Sequence, residues 1–83
     1  MGRAKRWKPR RLTAKLIQIR TGLDLSQDGM VIALGLKGRI TRQDISTFER
    51  GLREPPLPVL LRYARLIDVH LEVLVDDKLD LPR

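Results

Sequence analysis

The sequence has no cysteine, one histidine and three aromatic residues in 83 positions. Without cysteine, a disulfide framework, a thiolate metal site and a cysteine nucleophile are excluded. The single histidine, His70, has no second ligand at metal spacing, so neither a metal nor another cofactor is expected. No apolar run approaches the ~20 residues that span a bilayer, and no signal-peptide core follows the basic N-terminus. A membrane is therefore not an expected partner.

No arrangement of residues typical of catalysis is present. The stretch GLKG at residues 35–38 lacks the preceding strand, the spacing and the Lys-Ser/Thr ending of a phosphate-binding loop. No serine, histidine and carboxylate can be assembled into a triad. The protein is therefore predicted not to be an enzyme.

Positive charge is concentrated at one end of the chain. The net charge is +7, yet residues 1–20 contain eight basic residues and no acidic one, and the remaining 63 carry nine basic and ten acidic residues. Because residues 1–11 include Pro9 and few apolar side chains, they are predicted to form a flexible basic arm. Such arms bind polyanions, nucleic acid foremost, and a merely solubilising tail is the alternative.

Apolar residues from position 12 onward follow a helical period. Leu12, Leu16, Ile19 and Leu23 recur at spacings of four, three and four, which predicts a first helix over residues 12–23. Asp24 is expected just past its end in a left-handed conformation, and Asp68 is expected to have the same role later in the chain.

Two short helices with recognisable ends should follow. Ser26 is a candidate N-cap of the second helix, and Gly35 should end it. Thr41 should begin the third helix with Asp44 completing a capping box, and Gly51 should stop it.

The second half of the chain predicts two more helices after the proline-rich residues 53–58. The fourth should start near residue 57, because proline is tolerated in a first turn, and the fifth should cover residues 71–75. The buried face expected for the fourth helix consists of Leu57, Leu60, Leu61, Ala64 and Ile67. Residues 12–77 are therefore predicted to form one all-α domain of five short helices, and residues 78–83 a short tail.

Four stretches carry a resemblance to a known family: LSQDGMVIALG (residues 25–35), TRQDISTFERG (41–51), REP (53–55) and LLRYARLIDVHLEVLVDD (60–77). In this order and spacing the chain resembles the helix-turn-helix domain of phage repressor and Cro proteins, the XRE-like family. The resemblance implies a compact lambda-repressor-like fold and binding of double-stranded DNA, with the third helix in the major groove.

The resemblance implies which side chains contact bases. By family position these are Arg42, Gln43 and Thr47, with Ser46 nearby. Their chemistry agrees, since arginine bonds guanine, glutamine pairs with adenine and a threonine methyl can touch the methyl group of thymine.

Further roles are implied for residues around the third helix. Gln27, at the start of the second helix, matches the family glutamine that contacts the DNA backbone, and Arg20 and Glu49 match a structural ion pair rather than a catalytic group. The full set of expected phosphate contacts is Gln27, Lys37, Arg39, Thr41, Arg50, Arg53, Arg10 and Arg11.

The chain departs from the family pattern between the second and third helices. The usual turn needs about four fewer residues, which places an insertion at residues 37–40. This inserted turn could add phosphate contacts or alter the docking angle of the third helix.

The expected function is that of a DNA-binding transcriptional regulator, acting in the cytoplasm at the nucleoid as a homodimer. The candidate pairing surface is the apolar stretch of residues 71–81. Two other functions stay open. An antitoxin or co-regulator would chiefly bind a protein partner, such as a toxin, and the arginine-rich arm alone could bind RNA. The scarcity of aromatic residues argues against a surface for single strands.

Overall fold

The computed structural model describes residues 9–82, so the predicted flexibility of residues 1–8 falls outside the described part of the chain. Residues 9–82 contain five α-helices and no extended strand, only an isolated bridge between Lys37 and Ile40. The prediction of an all-α, five-helix domain is confirmed. The helices are α1 (Leu12–Gly22), α2 (Gln27–Ala33), α3 (Arg42–Glu49), α4 (Leu57–Leu66) and α5 (Leu71–Val75).

The helix ends follow from local chemistry. Asp24 and Asp68 have φ angles of 58° and 56°, the left-handed conformation that stops a helix and that aspartate tolerates. Gly35 and Gly51 have φ angles of 73° and 72°, where a Cβ would be strained. Leu23 is the C-cap of α1 and is largely exposed, so it does not continue the buried stripe as predicted.

Side-chain caps begin the two central helices. The Ser26 hydroxyl accepts a hydrogen bond from the Gly29 N–H at 2.9 Å. At the start of α3 the Thr41 hydroxyl accepts from the Asp44 N–H at 3.4 Å, and the Asp44 carboxylate accepts from the Thr41 N–H at 2.9 Å. This reciprocal capping box, predicted from the sequence, fixes where α3 begins.

The hydrophobic core lies where α1 meets α3 and α5, where α2 packs on α3, and where α4 packs on α5. Ile45 and Phe48 of α3 are almost completely buried in it. This packing fixes one side of α3 and leaves its other side at the surface. The buried core residues are Leu12, Leu16, Ile19, Met30, Val31, Leu34, Leu36, Ile45, Phe48, Val59, Leu60, Tyr63, Ala64 and Leu74.

The buried face of α4 differs from the predicted one. Leu57 is 58% exposed, whereas Val59 and Tyr63 are buried beside Leu60 and Ala64. Successive helical residues turn by ~100°, so a face centred between Leu60 and Tyr63 leaves Leu57 at its edge.

Most apolar side chains of residues 71–81 pack within the domain. Leu74 is buried, and Leu71, Val75 and Leu81 pack against the core. Because Leu79 is the one large apolar side chain of this stretch that is exposed, the stretch offers little surface for pairing. Its choice as the dimer surface is not supported by this packing.

Candidate nucleic-acid interface

The outer side of α3 presents the side chains expected to contact bases. Arg42 and Gln43, in its first turn, are exposed, and Ser46 and Thr47 are half-buried. The Thr47 hydroxyl donates to the Gln43 carbonyl at 2.8 Å. Because that donor is engaged within the helix, the γ-methyl group of Thr47 is what remains for an apolar contact.

Within residues 9–82, the side chains of Arg42 and Gln43 take part in no hydrogen bond or ion pair with the protein. Several other charged side chains near this surface are engaged internally. An arginine and a glutamine that stand exposed without internal partners retain their full donor and acceptor capacity for a ligand.

A polar cluster beneath α3 joins three helices. The Arg20 guanidinium of α1 donates two hydrogen bonds to the Glu49 carboxylate, from Nε to Oε2 at 2.7 Å and from Nη2 to Oε1 at 3.0 Å. The same guanidinium donates from Nη1 to the Leu25 carbonyl at 3.0 Å, and the Gln27 amide donates to Glu49 Oε1 at 3.3 Å. The bond to Glu49 raises the pKa of Arg20. The structure thus brings together the two residues expected to pair and adds Gln27 to them.

Gln27 is half-buried at the first position of α2, and its amide group faces inward to Glu49. An amide that donates one bond to Glu49 still has a second N–H and its carbonyl oxygen. The contact with a DNA phosphate therefore stays a prediction, made by a side chain whose position is already fixed.

The inserted turn, residues 37–40, is folded back on itself. Leu36 is buried, and its carbonyl accepts from the N–H groups of Arg39 at 2.9 Å and Ile40 at 3.1 Å. Gly38 supplies the required positive φ of 85°. Lys37 and Arg39 stand exposed on this turn, directly before α3 begins.

A shallow depression joins the inserted turn to the start of α3. Lys37 and Arg42 both line it, together with Ile32, which is 64% exposed. The turn of residues 37–40 therefore places the positive charge of Lys37 beside Arg42, the first of the side chains expected to contact bases.

Arg50 and Arg53 beyond the end of α3 have different surroundings. Arg50 is exposed, whereas the Arg53 guanidinium bonds the Asp44 carboxylate at 3.2 Å and lies 4.9 Å above the centre of the Phe48 ring. The pKa of Asp44 is lowered, first by the Thr41 N–H and also by Arg53. Arg53, an expected phosphate contact, therefore already has internal partners, although its side chain remains exposed.

Arg10 and Arg11 are held by the C-terminal end of the protein. The backbone N–H groups of Arg10 and Arg11 both bond the Asp77 carboxylate at 2.9 Å, and the Arg11 guanidinium pairs with Asp80. The flexible arm predicted over residues 1–11 therefore does not include these two. The role of Arg11 as a phosphate contact is weakened, because its guanidinium already binds a carboxylate.

Sequence reasoning missed the position of Lys15. This side chain is 1% exposed, and its ammonium group donates to the carbonyls of Val73 at 2.7 Å and Asp76 at 2.9 Å, at the end of α5. Burial lowers the pKa of Lys15, and nearby Arg11 adds to the effect. A signal existed, because position 15 lies three residues after Leu12 and four before Ile19, which places it beside both on the surface of the helix.

Other kinds of site are not evident in the described part of the chain. His70 occupies the N-cap position of α5 without a side-chain cap bond, and residues 9–82 contain no cluster of metal-ligand residues. None of their helices has the length and apolar character needed to cross a bilayer.

Comparison with known proteins identifies the family. A family model described as helix-turn-helix matches residues 16–74, which covers most of α1, all of α2 to α4 and most of α5. Searches of curated proteins and of solved structures found no match. The matched region contains α2, α3, the inserted turn and the ion pair beneath them. The chain belongs to the Cro and C1-repressor type of helix-turn-helix proteins, a family of DNA-binding regulators.

Proposed function

We propose that this protein binds double-stranded DNA sequence-specifically as a transcriptional regulator, with α3 in the major groove. The observation that carries the proposal is the two-sided character of α3. Ile45 and Phe48 fix its inner side in the core, while the exposed side chains of Arg42 and Gln43 have no hydrogen-bond or ion-pair partner among residues 9–82. A rigid helix bearing donors and acceptors suited to guanine and adenine fits major-groove recognition.

The phosphate contacts would surround α3. Lys37 and Arg39 on the inserted turn would lie at one end of it, with Arg50 at the other. Thr41, and Gln27 at the first position of α2, would contribute further contacts. These groups would fix the orientation of α3 without reading sequence.

Selection of bound sequences from a random duplex pool tests the proposal directly. An enriched motif that survives competitor DNA is expected, and enrichment of no motif would refute sequence-specific binding. Arg42→Ala, Gln43→Ala and Thr47→Ala should each relax preference at one or two base pairs and cost ~1–3 kcal/mol on the selected site.

Matched controls separate base contact from general effects. Arg65→Ala removes an exposed arginine from α4, and Gln18→Ala removes an exposed glutamine from α1. Neither should change the selected motif. Unchanged preference in all three α3 variants would exclude them as base-contacting residues, even if the protein binds DNA.

The basic N-terminal segment, defined as residues 1–8, would add phosphate or minor-groove contacts. It carries Arg3, Lys5, Arg6 and Lys8. Replacing all four by glutamine should weaken specific and non-specific binding by similar factors. For every phosphate that the variant no longer neutralises, the plot of log affinity against log salt concentration should flatten by ~0.9. Equal slopes for the two proteins would show that the segment does not contact DNA.

A homodimer is part of the proposal, because two copies would read two half-sites about one helical turn apart. Leu52 and Leu57, at either end of the turn between α3 and α4, are among the most exposed large apolar side chains of residues 9–82. They would suit a second copy, or the protein partner of an antitoxin or co-regulator. The dimer would be favoured if wild type selects a palindromic motif and the double variant Leu52→Ser/Leu57→Ser neither dimerises nor selects that motif. A non-palindromic motif bound by a monomer would leave these leucines to another protein.

A further inference from the structure

Asp77 caps a helix that lies far from it in sequence. The N-cap residue of α1, Arg11, makes no side-chain cap bond, and the first turn of α1 contains no acidic residue. Instead, Asp77 Oδ2 accepts from the Arg10 N–H and Asp77 Oδ1 from the Arg11 N–H, each at 2.9 Å. These bonds lower the pKa of Asp77. A single carboxylate therefore satisfies two successive backbone donors and places negative charge at the positive end of the helix dipole.

Additional bonds hold the C-terminal segment, residues 73–82, against the same turn of α1. Arg11 Nη1 donates to the Asp77 carbonyl at 2.8 Å, and the Arg11 guanidinium pairs with Asp80. The buried Lys15 ammonium binds the carbonyls of Val73 and Asp76. The C-terminal segment is thus fixed relative to α1, which makes Asp77 a fixed point for the backbone at residues 10 and 11.

The opposite side of this turn faces the end of α3. Pro9 and Thr13 line a small pocket together with Phe48 and Arg53, and the Thr13 methyl lies 3.4 Å from where a Cβ on Gly51 would be. The chain therefore enters α1 between the C-terminal segment and the loop that follows α3. Residues 1–8 are attached at this point.

We infer that Asp77 is a positioning residue for DNA binding by the basic N-terminal segment, an inference that rests on the proposed function of that segment. By holding the two amides at residues 10 and 11, Asp77 fixes the backbone to which the basic N-terminal segment is attached. A segment whose root is already oriented loses less conformational freedom when it binds phosphates, and the complex is correspondingly tighter.

The sign of the effect separates positioning from simple electrostatics. Asp77 is an acidic residue, so removing it reduces repulsion from DNA, and charge alone predicts tighter binding. Positioning predicts weaker binding. Asp80 is the matched control, because Asp80→Asn removes the same charge from the same segment but leaves the bonds between Asp77 and the two amides in place.

The test is a double-mutant cycle on the full-length protein with the selected duplex. The variants are Asp77→Ala, the fourfold glutamine variant of Arg3, Lys5, Arg6 and Lys8, and their combination. We expect Asp77→Ala to weaken binding about three- to tenfold in the wild-type background and less than about twofold in the glutamine background. Asp80→Asn should bind DNA as tightly as wild type or more tightly.

Two results would overturn the inference, and they differ from failure of the proposed function. An equal loss in both backgrounds would mean that Asp77 acts through the stability of the domain, and tighter binding by Asp77→Ala would mean that it acts through charge. If the glutamine variant alone binds like wild type with an unchanged salt slope, the segment does not contact DNA. The inference about Asp77 then falls with the proposed contact of the segment, whereas the proposed role of α3 is unaffected. Circular dichroism at the assay temperature checks folding, and Asp77→Asn, which keeps one acceptor oxygen, replaces Asp77→Ala if the latter is unfolded.

Discussion

Removing Arg20 should destabilise the domain much more than removal of an ordinary surface charge. The Glu49 side chain is 5% exposed and that of Arg20 is 19% exposed. In Arg20→Ala the Glu49 carboxylate would keep only the 3.3 Å bond from Gln27 and would remain buried without a counter-charge. Breaking such a pair costs ~3–5 kcal/mol, whereas an exposed pair contributes ~0–1 kcal/mol.

The two single substitutions should differ in severity. Glu49→Ala leaves Arg20 as the unpaired charge, but this side chain is more exposed and retains its bond to the Leu25 carbonyl. We therefore expect Glu49→Ala to fall at or below ~3 kcal/mol. The double variant should lose ~1–3 kcal/mol less than the sum of the single losses, because no unpaired charge remains.

Urea unfolding followed by circular dichroism measures these free energies. Arg65→Ala, which removes an exposed arginine from α4, is the control and should stay within ~0.5 kcal/mol of wild type. A domain of 83 residues has about 4–12 kcal/mol of stability, so Arg20→Ala should remain measurable at low temperature. A loss below about 1 kcal/mol in Arg20→Ala, the range of an exposed pair, or strictly additive losses would refute the reasoning.

Three further predictions concern caps and charges. Thr41→Ala should cost ~1 kcal/mol in unfolding free energy because it breaks the capping box of α3. Thr41→Ser should cost less because it keeps the hydroxyl acceptor, and equal losses in the two variants would contradict this. Lys15→Met should lower the free energy of unfolding by ~1–3 kcal/mol because two carbonyls lose a charged donor. An unchanged urea midpoint would contradict this and would show that removing a buried ammonium group offsets the missing bonds. The pKa values of Asp44, Asp77 and Asp80 lie below the usual 3.8, so their stabilisation is present above pH 3.8 and is lost as pH falls through the lower folded-state values. Acid titration of Asp44→Asn and Asp77→Asn should therefore show a smaller loss of stability below pH 3.8 than wild type.

Features that depend on a few neighbouring residues can be predicted from the sequence. The period of apolar residues predicts α1, and the chemistry of Ser26 and Thr41 predicts where α2 and α3 begin. The left-handed conformations of Asp24 and Asp68 are likewise predictable, since each follows a run of helical period. These features need no knowledge of which segments meet in space.

Features that depend on contacts between distant segments cannot be predicted in this way. Lys15 is buried because the end of α5 presents carbonyls above it, and Arg11 is engaged because Asp77 and Asp80 lie beside it. The sequence places Lys15 beside the apolar stripe of α1 and Arg11 among the basic N-terminal residues, but it does not identify the distant groups that they bind. The bond between Asp44 and Arg53 escapes prediction for a related reason, because it depends on the path of the chain after Gly51.

The cluster around Glu49 connects the proposed DNA contacts to the stability of the fold. The carboxylate of Glu49, the last residue of α3, accepts hydrogen bonds from Arg20 of α1 and from Gln27 of α2. The Arg20 guanidinium also binds the Leu25 carbonyl, just before the Ser26 cap of α2. The first turn of α2, which would contact phosphate, and α3, which would contact bases, are therefore set at a fixed angle by one buried charge pair. The turn of residues 37–40 connects these two helices outside this cluster, whose bonds join Arg20, Leu25, Gln27 and Glu49.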